Sequence, residues 1–229
     1  MTAESQVANP TGPGKRLREV RTLRGLSVRE LARRAGCSAS LLSQVERDIV
    51  APSARIVYSL ANELGISLDY LFGTEAIADL ATAREAPSIT PPAPNTSEGA
   101  PAGSPSWGRA TGRDGKGIVQ RVSERQVIPL ASGIRWERLT PDLDPYVDFL
   151  DVVYEPGGRS SESDQAVRHD GREYLRVLEG EIEAIIGFEM VRLGAGDSLA
   201  FDPSTPHLYR NPSETEQARC LSVVVHYPV

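Results

Sequence analysis

Two hydrophobic periodicities divide the chain. Between Gly14 and Phe72, apolar residues recur every three or four positions, which is the spacing of amphipathic helices. From Ile118 onward, apolar and polar residues alternate in short runs such as "EYLRVLEGEIEAII", a pattern typical of strands with one buried face. The sequence therefore predicts a helical N-terminal unit followed by a β-rich C-terminal unit.

Polar residues indicate where the helices of the first unit begin. Ser27 stands three residues before Glu30, which is the spacing of a capping box. Ser38, Ser53 and Ser67 are positioned to precede three further helices. We expect five helices within about sixty residues, which form a compact all-α bundle.

The region between the two units has a composition that disfavours a core. Residues 74–117 are rich in Pro, Ala, Ser, Gly and Thr, and such a segment cannot bury enough apolar surface to offset its ordering entropy. We predict a disordered tail over 1–13, a helical domain over 14–73, a flexible linker over 74–117 and a β domain over 118–229.

The charge is unevenly distributed between these parts. Through Gly73 the chain carries ten Lys and Arg against seven Asp and Glu, so of the totals of 25 and 31 the remainder holds 15 and 24. The first third is therefore about +3 and the rest about −9, although the net charge is −6. This split favours a domain that faces a polyanion, carried on an acidic body.

The sequence predicts a cytoplasmic protein without membrane contact. It contains only two cysteines, Cys37 and Cys220, which are too few for a disulfide framework. It has no apolar run of about 18 residues, and its first residues lack the apolar stretch of a signal peptide.

The stretch "LARRAGCSASLLSQVER" has the pattern of a helix-turn-helix. Gly36 gives the turn its backbone freedom, while Leu42 and Val45 are spaced to hold the second helix against the bundle. The outer face of that helix then carries short or amide side chains, namely Ala39, Ser40, Ser43 and Gln44. Such a face suits the major groove, where glutamine pairs with adenine and short side chains permit close approach.

The predicted DNA-binding set extends beyond this face to the helix starts and to basic residues. Its members are Arg16, Ser27, Val28, Arg29, Ser38, Ala39, Ser40, Ser43, Gln44 and Arg47. Arginine side chains are suited to flanking phosphates, and Arg18, Arg33 and Arg34 are further candidates. The alternative is an ordinary helical bundle that contacts other proteins.

Over roughly Gly14 to Gly73, these residues resemble the repressor-like helix-turn-helix domain of XRE-type bacterial regulators. The resemblance implies that Arg21 pairs with Glu46 and that the pair braces the recognition helix. Asp48 stands where that family usually has glycine, and aspartate tolerates the left-handed conformation better than most residues.

The β unit contains the three histidines of the chain. His169 lies four residues before Glu173, whose strand parity matches that of Leu175 and Val177, so its carboxylate is expected to point inward. His207 follows a proline-bearing loop. Two imidazoles and a carboxylate inside a barrel can form a facial triad for Fe(II) or another divalent metal.

The same residues resemble the two motifs of the cupin superfamily over roughly Gly117 to Val229. The matching positions are His169, Glu173 and Gly180 for the first motif, and Gly196, Pro203, His207 and Asn211 for the second. The resemblance implies an all-β cupin (double-stranded β-helix, or jelly-roll) barrel that holds a divalent metal such as Fe, Zn, Mn or Ni.

One family ligand is absent from the sequence. Val167 occupies the position of the first motif histidine, so at most three of the four usual ligands remain. His226 on the last strand is a candidate replacement that the spacing does not establish. In the alternative reading, the histidines and Glu173 only line a ligand pocket or accept hydrogen bonds.

Together these features predict a transcriptional regulator and not an enzyme. The helical domain would bind a double-stranded DNA operator, and the cupin would bind an effector or metal and support a homodimer. The rival interpretation is a mononuclear iron enzyme of the hydroxypropylphosphonate epoxidase type, which resembles this layout and would use His169, Glu173 and His207. The main difficulty for the regulator hypothesis is how effector binding in the cupin would influence the helical domain across a long, loose linker.

Overall fold

The computed structural model of the chain describes residues 12–72, 118–142, 144, 146–161 and 165–226. The predicted linker lies outside these residues, and so does the predicted tail apart from Gly12 and Pro13. The described residues form a helical domain and a β domain, as the two periodicities predict.

Five helices build the helical domain: α1 (Pro13–Leu23), α2 (Val28–Arg34), α3 (Ala39–Val45), α4 (Ala54–Leu64) and α5 (Leu68–Phe72). The hydroxyl oxygens of Ser27 and Ser38 accept hydrogen bonds from the third residues of α2 and α3, at 3.1 and 3.0 Å, which satisfies first-turn donors. Ser53 is the N-cap of α4 without such a bond. Among the described residues, no helix is both long and apolar enough to cross a bilayer.

Helix α1 begins at Pro13, inside the segment predicted to be a disordered tail. Proline is favoured at the first helical position because the amide hydrogen it lacks would have no partner there. The first helix therefore starts within one residue of the predicted domain boundary at residue 14.

The helix-turn-helix core is formed by fully buried leucines on successive helices. Leu31, Leu42 and Leu60 are at most 1% exposed and belong to α2, α3 and α4. Gly36 turns the chain between α2 and α3 with φ of +66°, and Asp48 adopts φ of +54° after α3. Both left-handed residues occur where the sequence predicts a turn.

An ion pair joins the first helix to the end of the third. Arg21 donates from Nε and Nη2 to the two carboxylate oxygens of Glu46, at 2.5 and 3.0 Å, and from Nη1 to the carbonyl of Leu26 at 2.8 Å. Glu46 is only 5% exposed, and its hydrogen bond raises the pKa of Arg21 above the ordinary value. The pair implied by the resemblance is thus present and holds the C-terminal end of α3.

The β domain contains nine strands in its described residues. A six-stranded sheet has the order β1 (Val127–Leu130), β2 (Ile134–Arg138), β3 (Val147–Tyr154), β9 (Ala218–Val225), β4 (Arg172–Glu179) and β7 (Ser198–Phe201). A three-stranded sheet has the order β6 (Glu189–Gly194), β5 (Glu181–Ile186) and β8 (His207–Arg210). A short 3-10 helix, Val122–Glu124, precedes β1.

Strand parity sets the interior of this barrel. On β4, Glu173, Leu175 and Val177 are buried and the residues between them are exposed. Gly180 turns the chain into β5 with φ of +72°, and a Cβ there would lie 2.7 Å from the carbonyl oxygen of Gln217. Only glycine fits this turn without displacing the backbone.

The two domains pack directly against each other. The amide of Arg55 in α4 donates to the carbonyl of Ser160 at 3.0 Å, and the amide of Ala131 donates to the carbonyl of Pro52 at 2.9 Å. Buried apolar residues of both domains form one continuous cluster. A change in one domain can therefore reach the other through these direct contacts, without the linker.

Replacing Glu46 with alanine is expected to destabilise the helical domain by about 2–4 kcal/mol, because Arg21 then remains largely buried without its carboxylate partner. The measurement is denaturant unfolding followed by helical circular dichroism. Glu63→Ala, at an exposed glutamate of α4, is the control and should change the midpoint much less. Equal effects of the two substitutions would show that the pair does not brace α3.

Candidate functional site

The structure exposes the polar face of α3. Leu42 and Val45 are 0% and 5% exposed and anchor the helix inward. On the opposite side Ser40 is exposed and Ser43 and Gln44 are partly exposed. The Gln44 amide lies 3.4 Å from the Ser40 hydroxyl, so the two polar groups stand side by side on the helix surface.

Two predicted DNA-contact residues also contribute to packing. Val28 and Ala39, the first residues of α2 and α3, are partly buried against the core. The neighbouring Ser27 and Ser38 are exposed, and their hydroxyl oxygens already act as helix caps. A hydroxyl that accepts from the helix can still donate its own hydrogen to a phosphate.

The predicted phosphate-contact arginines have different environments. Arg29 and Arg47 are exposed, and Arg47 donates from Nε to the carbonyl of Ser43 at 3.0 Å. Arg33 and Arg34 each bind the carboxylate of Glu30, at 2.8 and 2.7 Å. All four arginines are exposed, but Arg33 and Arg34 share the carboxylate of Glu30.

The structure buries Arg16, which the sequence predicts to contact phosphate. This residue is 2% exposed, its guanidinium lies 5.0 Å from the ring centroid of Tyr70, and Nη1 donates to the Tyr70 carbonyl at 3.0 Å. Arg16 lies four residues before Val20 and so shares the inner face of α1. It is a structural residue that ties α1 to α5.

Three side chains converge inside the barrel. His169 precedes β4, Glu173 lies on β4, and His207 opens β8 in the other sheet. Their nitrogen and oxygen ligand atoms lie within 4.8 Å of one another. Glu173 Oε2 is 3.1 Å from His169 Nε2 and 3.4 Å from His207 Nε2, and all three residues are at most 5% exposed.

The outer ring nitrogens define the chemistry of this group. Nδ1 of His169 lies 3.1 Å from the carbonyl oxygen of Asp170, and Nδ1 of His207 lies 3.0 Å from that of Thr205. A carbonyl only accepts, so each Nδ1 carries the hydrogen, and in the neutral rings each Nε2 presents a lone pair to Glu173. At these distances the three atoms can share either a proton on an Nε2 atom or a metal cation, and carbonyl-oriented imidazoles are typical of metal ligands.

Tyr209 orients the carboxylate from the opposite side. Its hydroxyl donates to Glu173 Oε1 at 2.7 Å, which leaves Oε2 directed at the histidines. Burial opposes ionisation of Glu173, but the hydrogen bond with His169 and the charge of His207 lower its pKa below the ordinary value. Burial lowers the pKa of His207.

Val167 occupies the place of the missing motif histidine in the structure as well. It is 5% exposed and exchanges backbone hydrogen bonds with His207 at 2.8 and 3.0 Å. An apolar side chain therefore lines the cavity beside His207. Within the described residues, the protein offers three ligands to this group.

His226 does not replace that histidine. Its Nε2 lies 2.6 Å from Oδ2 of the fully buried Asp148 on β3, and it is not part of the three-residue group. Although burial alone would lower its pKa, the bond to Asp148 and the nearby charges of Asp144 and Asp170 raise it. His226 thus stabilises one end of the barrel.

The sequence interpretation missed Tyr58, which reaches the site from the helical domain. Its ring lies on that of His169, with centroids 4.5 Å apart and planes inclined by 7°, and meets the edge of Trp136 at 5.4 Å. A tyrosine on an amphipathic helix gives no signal that it faces a different domain. No pattern in the sequence could have identified it.

Family comparisons agree with both units. Residues 17–71 match the helix-turn-helix family HTH_3, and residues 150–224 match the cupin domain family Cupin_2. Both motif sets described above fall within or beside the matched ranges.

Relatives match the chain over its whole length or over its helical domain. The HTH-type transcriptional regulator PuuR of Escherichia coli (strain K12) is 28% identical over 218 residues, 94% of this chain and 95% of that protein. The uncharacterized HTH-type transcriptional regulator YazB of Bacillus subtilis (strain 168) is 40% identical over 58 residues, 25% of this chain and 84% of that protein. A crystal structure of an HTH_3 family transcriptional regulator from Vibrio cholerae superposes with a TM-score of 0.57 at 18% identity, covering 95% of this chain and 96% of that one, which supports the fold.

The pair formed by His226 and Asp148 predicts a specific pH dependence. Because the folded pKa of His226 lies above its ordinary value of 6.5, its contribution is complete below that value and is lost as the pH rises through the folded pKa. We expect His226→Gln to cost on the order of 1–2 kcal/mol near pH 5.5 and less near pH 8.5. Denaturant unfolding of both proteins across this pH range measures the difference, and a constant difference would contradict the assignment.

Proposed function

We propose that the chain, whose two units match the helix-turn-helix family HTH_3 and the cupin domain family Cupin_2, is a DNA-binding transcriptional regulator of the XRE type whose cupin senses a metal or small-molecule effector. The observation that carries the DNA-binding part is the exposed polar face of α3 opposite its buried Leu42 and Val45. PuuR, which is similar over nearly the whole chain, is named as an HTH-type transcriptional regulator.

We assign recognition of the DNA base sequence to the outer face of α3. Gln44 can pair with the edge of an adenine, while Ser40 and Ser43 permit close approach and add hydrogen bonds. Arg29 and Arg47 are exposed beside this helix and would hold the phosphates that flank the contacted bases. The ion pair between Arg21 and Glu46 would keep the helix at a fixed angle during contact.

A homodimer would supply the remaining specificity. One recognition helix reads only a few base pairs, whereas two helices on half-sites about 34 Å apart read a palindromic operator. The cupin domain is the part of the chain to which we assign this association. In such a dimer, the cupin interface would set the distance between the two recognition helices.

The residues assigned to a divalent metal are His169, Glu173 and His207. Support comes from three converging ligand residues, the carbonyl partners of both Nδ1 atoms, and Tyr209 on the remaining carboxylate oxygen. Two histidines and one carboxylate suit Fe(II) and other first-row metals. The group contains no thiolate, which would favour softer metal ions. A bound metal would supply a Lewis acid that coordinates an oxygen or nitrogen atom of an effector.

The epoxidase hypothesis would use the same three residues, and no observation favours it over the regulator. The relatives matched over nearly the whole chain or over the helical domain are named as transcriptional regulators. Fold similarity alone does not decide chemistry.

The first test concerns DNA reading. Genomic fragments that the wild-type protein retains are mapped, and the affinity of one is measured for the Ser40→Ala, Gln44→Ala double variant. We expect a loss of about 10- to 100-fold for the retained fragment and little change for random DNA, because base contacts specify and phosphate contacts do not.

The control is Gln217→Ala, at an exposed glutamine between β8 and β9 that should leave the affinity unchanged. If the double variant binds its fragment as tightly as wild type does, α3 is not the reading helix. If wild type retains no fragment above random DNA, the regulator proposal is wrong.

The second test concerns the metal. Protein is loaded with Co(II) or Zn(II), dialysed, and its metal content measured for wild type, His207→Ala and His226→Gln. We expect about one ion per chain in wild type and in His226→Gln, and a loss of at least about tenfold in affinity for His207→Ala, because only His207 belongs to the group. Equal metal content in the two histidine variants would remove the proposed centre.

A further inference from the structure

Tyr58 separates two cavities at the boundary between the domains. The inner cavity, inside the barrel, has a volume of about 30 Å³ and is lined by Glu173, His207 and Tyr58 itself. The outer cavity, about 200 Å³, lies between α4 and α5 on one side and His169, Asp170 and His226 on the other. The ring of Tyr58 lines both, so it forms the wall between them.

The inner cavity is too small for an organic molecule. One water occupies about 10–15 Å³ on this measure, so about 30 Å³ accommodates a metal ion with one or two waters. Pockets that bind small organic ligands measure about 300–1,000 Å³. While α4 is docked, an organic molecule therefore does not fit in the inner cavity beside the proposed metal-binding residues.

We propose that α4 of the DNA-binding domain is the lid of the cupin site, and that an organic ligand of the centre must displace Tyr58 and thereby loosen the docking of the two domains. This inference rests on the proposed function, since it describes how that site is controlled. Withdrawal of the ring joins the inner cavity to the outer one and makes room beside His169.

The contacts around Tyr58 explain why its movement affects docking. Arg55, one helical turn before it, donates its amide to Ser160 in the β domain. Pro52, which leads into α4, accepts the amide of Ala131. A displaced Tyr58 loses its stacking on His169 and its edge contact with Trp136, so that docking of α4 depends on these two hydrogen bonds and the remaining apolar packing.

The test uses the whole chain with Tyr58→Ala, which removes the ring, and Tyr58→Phe, which keeps it. Amide hydrogen exchange is followed at Arg55 and Ala131, whose amides bond across the domain boundary. We expect both to exchange at least about tenfold faster in Tyr58→Ala and at the wild-type rate in Tyr58→Phe. The amides of Glu46 and Val177, which bond within their own domains, serve as controls and should not change.

A second measurement examines access to the centre. Wild type and both variants are loaded with Co(II), and loss of the ion to excess EDTA is timed. A lid predicts loss at least about tenfold faster from Tyr58→Ala than from wild type or Tyr58→Phe. Free imidazole, used as a probe ligand, should alter the visible spectrum of Co(II) at lower concentration in Tyr58→Ala than in wild type.

Each outcome has a defined meaning. Unchanged exchange at Arg55 and Ala131 in Tyr58→Ala would overturn the proposal, as would faster exchange at Glu46 and Val177 alone. If wild type binds no Co(II), the metal assignment fails, and the hydrogen-exchange comparison still decides whether Tyr58 closes the barrel. Failure to retain DNA concerns only the regulator proposal and leaves both measurements of the lid valid.

Discussion

A buried carboxylate is the group on which the β domain depends. Glu173 is 2% exposed, and a charge at that depth destabilises the fold unless hydrogen bonds and cations compensate it. Tyr209 supplies one donor, and the histidines on β8 and before β4 supply the ligand atoms that a shared cation would join. Because these groups come from both sheets, the compensation exists only when the barrel has closed.

The same carboxylate ties the barrel to the DNA-binding domain. His169, held at one side of Glu173, is also the surface on which Tyr58 stacks. A shift of this imidazole ring would therefore act on α4 directly through the stacked Tyr58, over a few ångströms. A linker alone would only set the effective concentration of one domain near the other, whereas a direct contact can be kept or broken, and a ligand that favours one of these states shifts the balance between them.

Local patterns in the sequence predicted what depends on local structure. The capping serines indicated where α2 and α3 begin, and strand parity predicted that Glu173 points inward. The family resemblance implied the pair of Arg21 and Glu46. Contacts between distant segments could not be predicted in this way. Arg16 looks like any surface arginine until α5 packs over it, and nothing near Tyr58 in the sequence indicates a histidine more than a hundred residues away.

The docked arrangement also limits how control can reach DNA. Docking uses α4 and the residues before it, while Ser40 and Gln44 on α3 remain accessible. The β domain therefore does not inhibit by covering the reading face. In a dimer, the remaining variable is the position of each recognition helix relative to the other, which must match half-sites about 34 Å apart. In the proposed dimer, a lid that moved with the contents of the barrel would change that position, and would so convert occupancy of the centre into a difference in operator affinity.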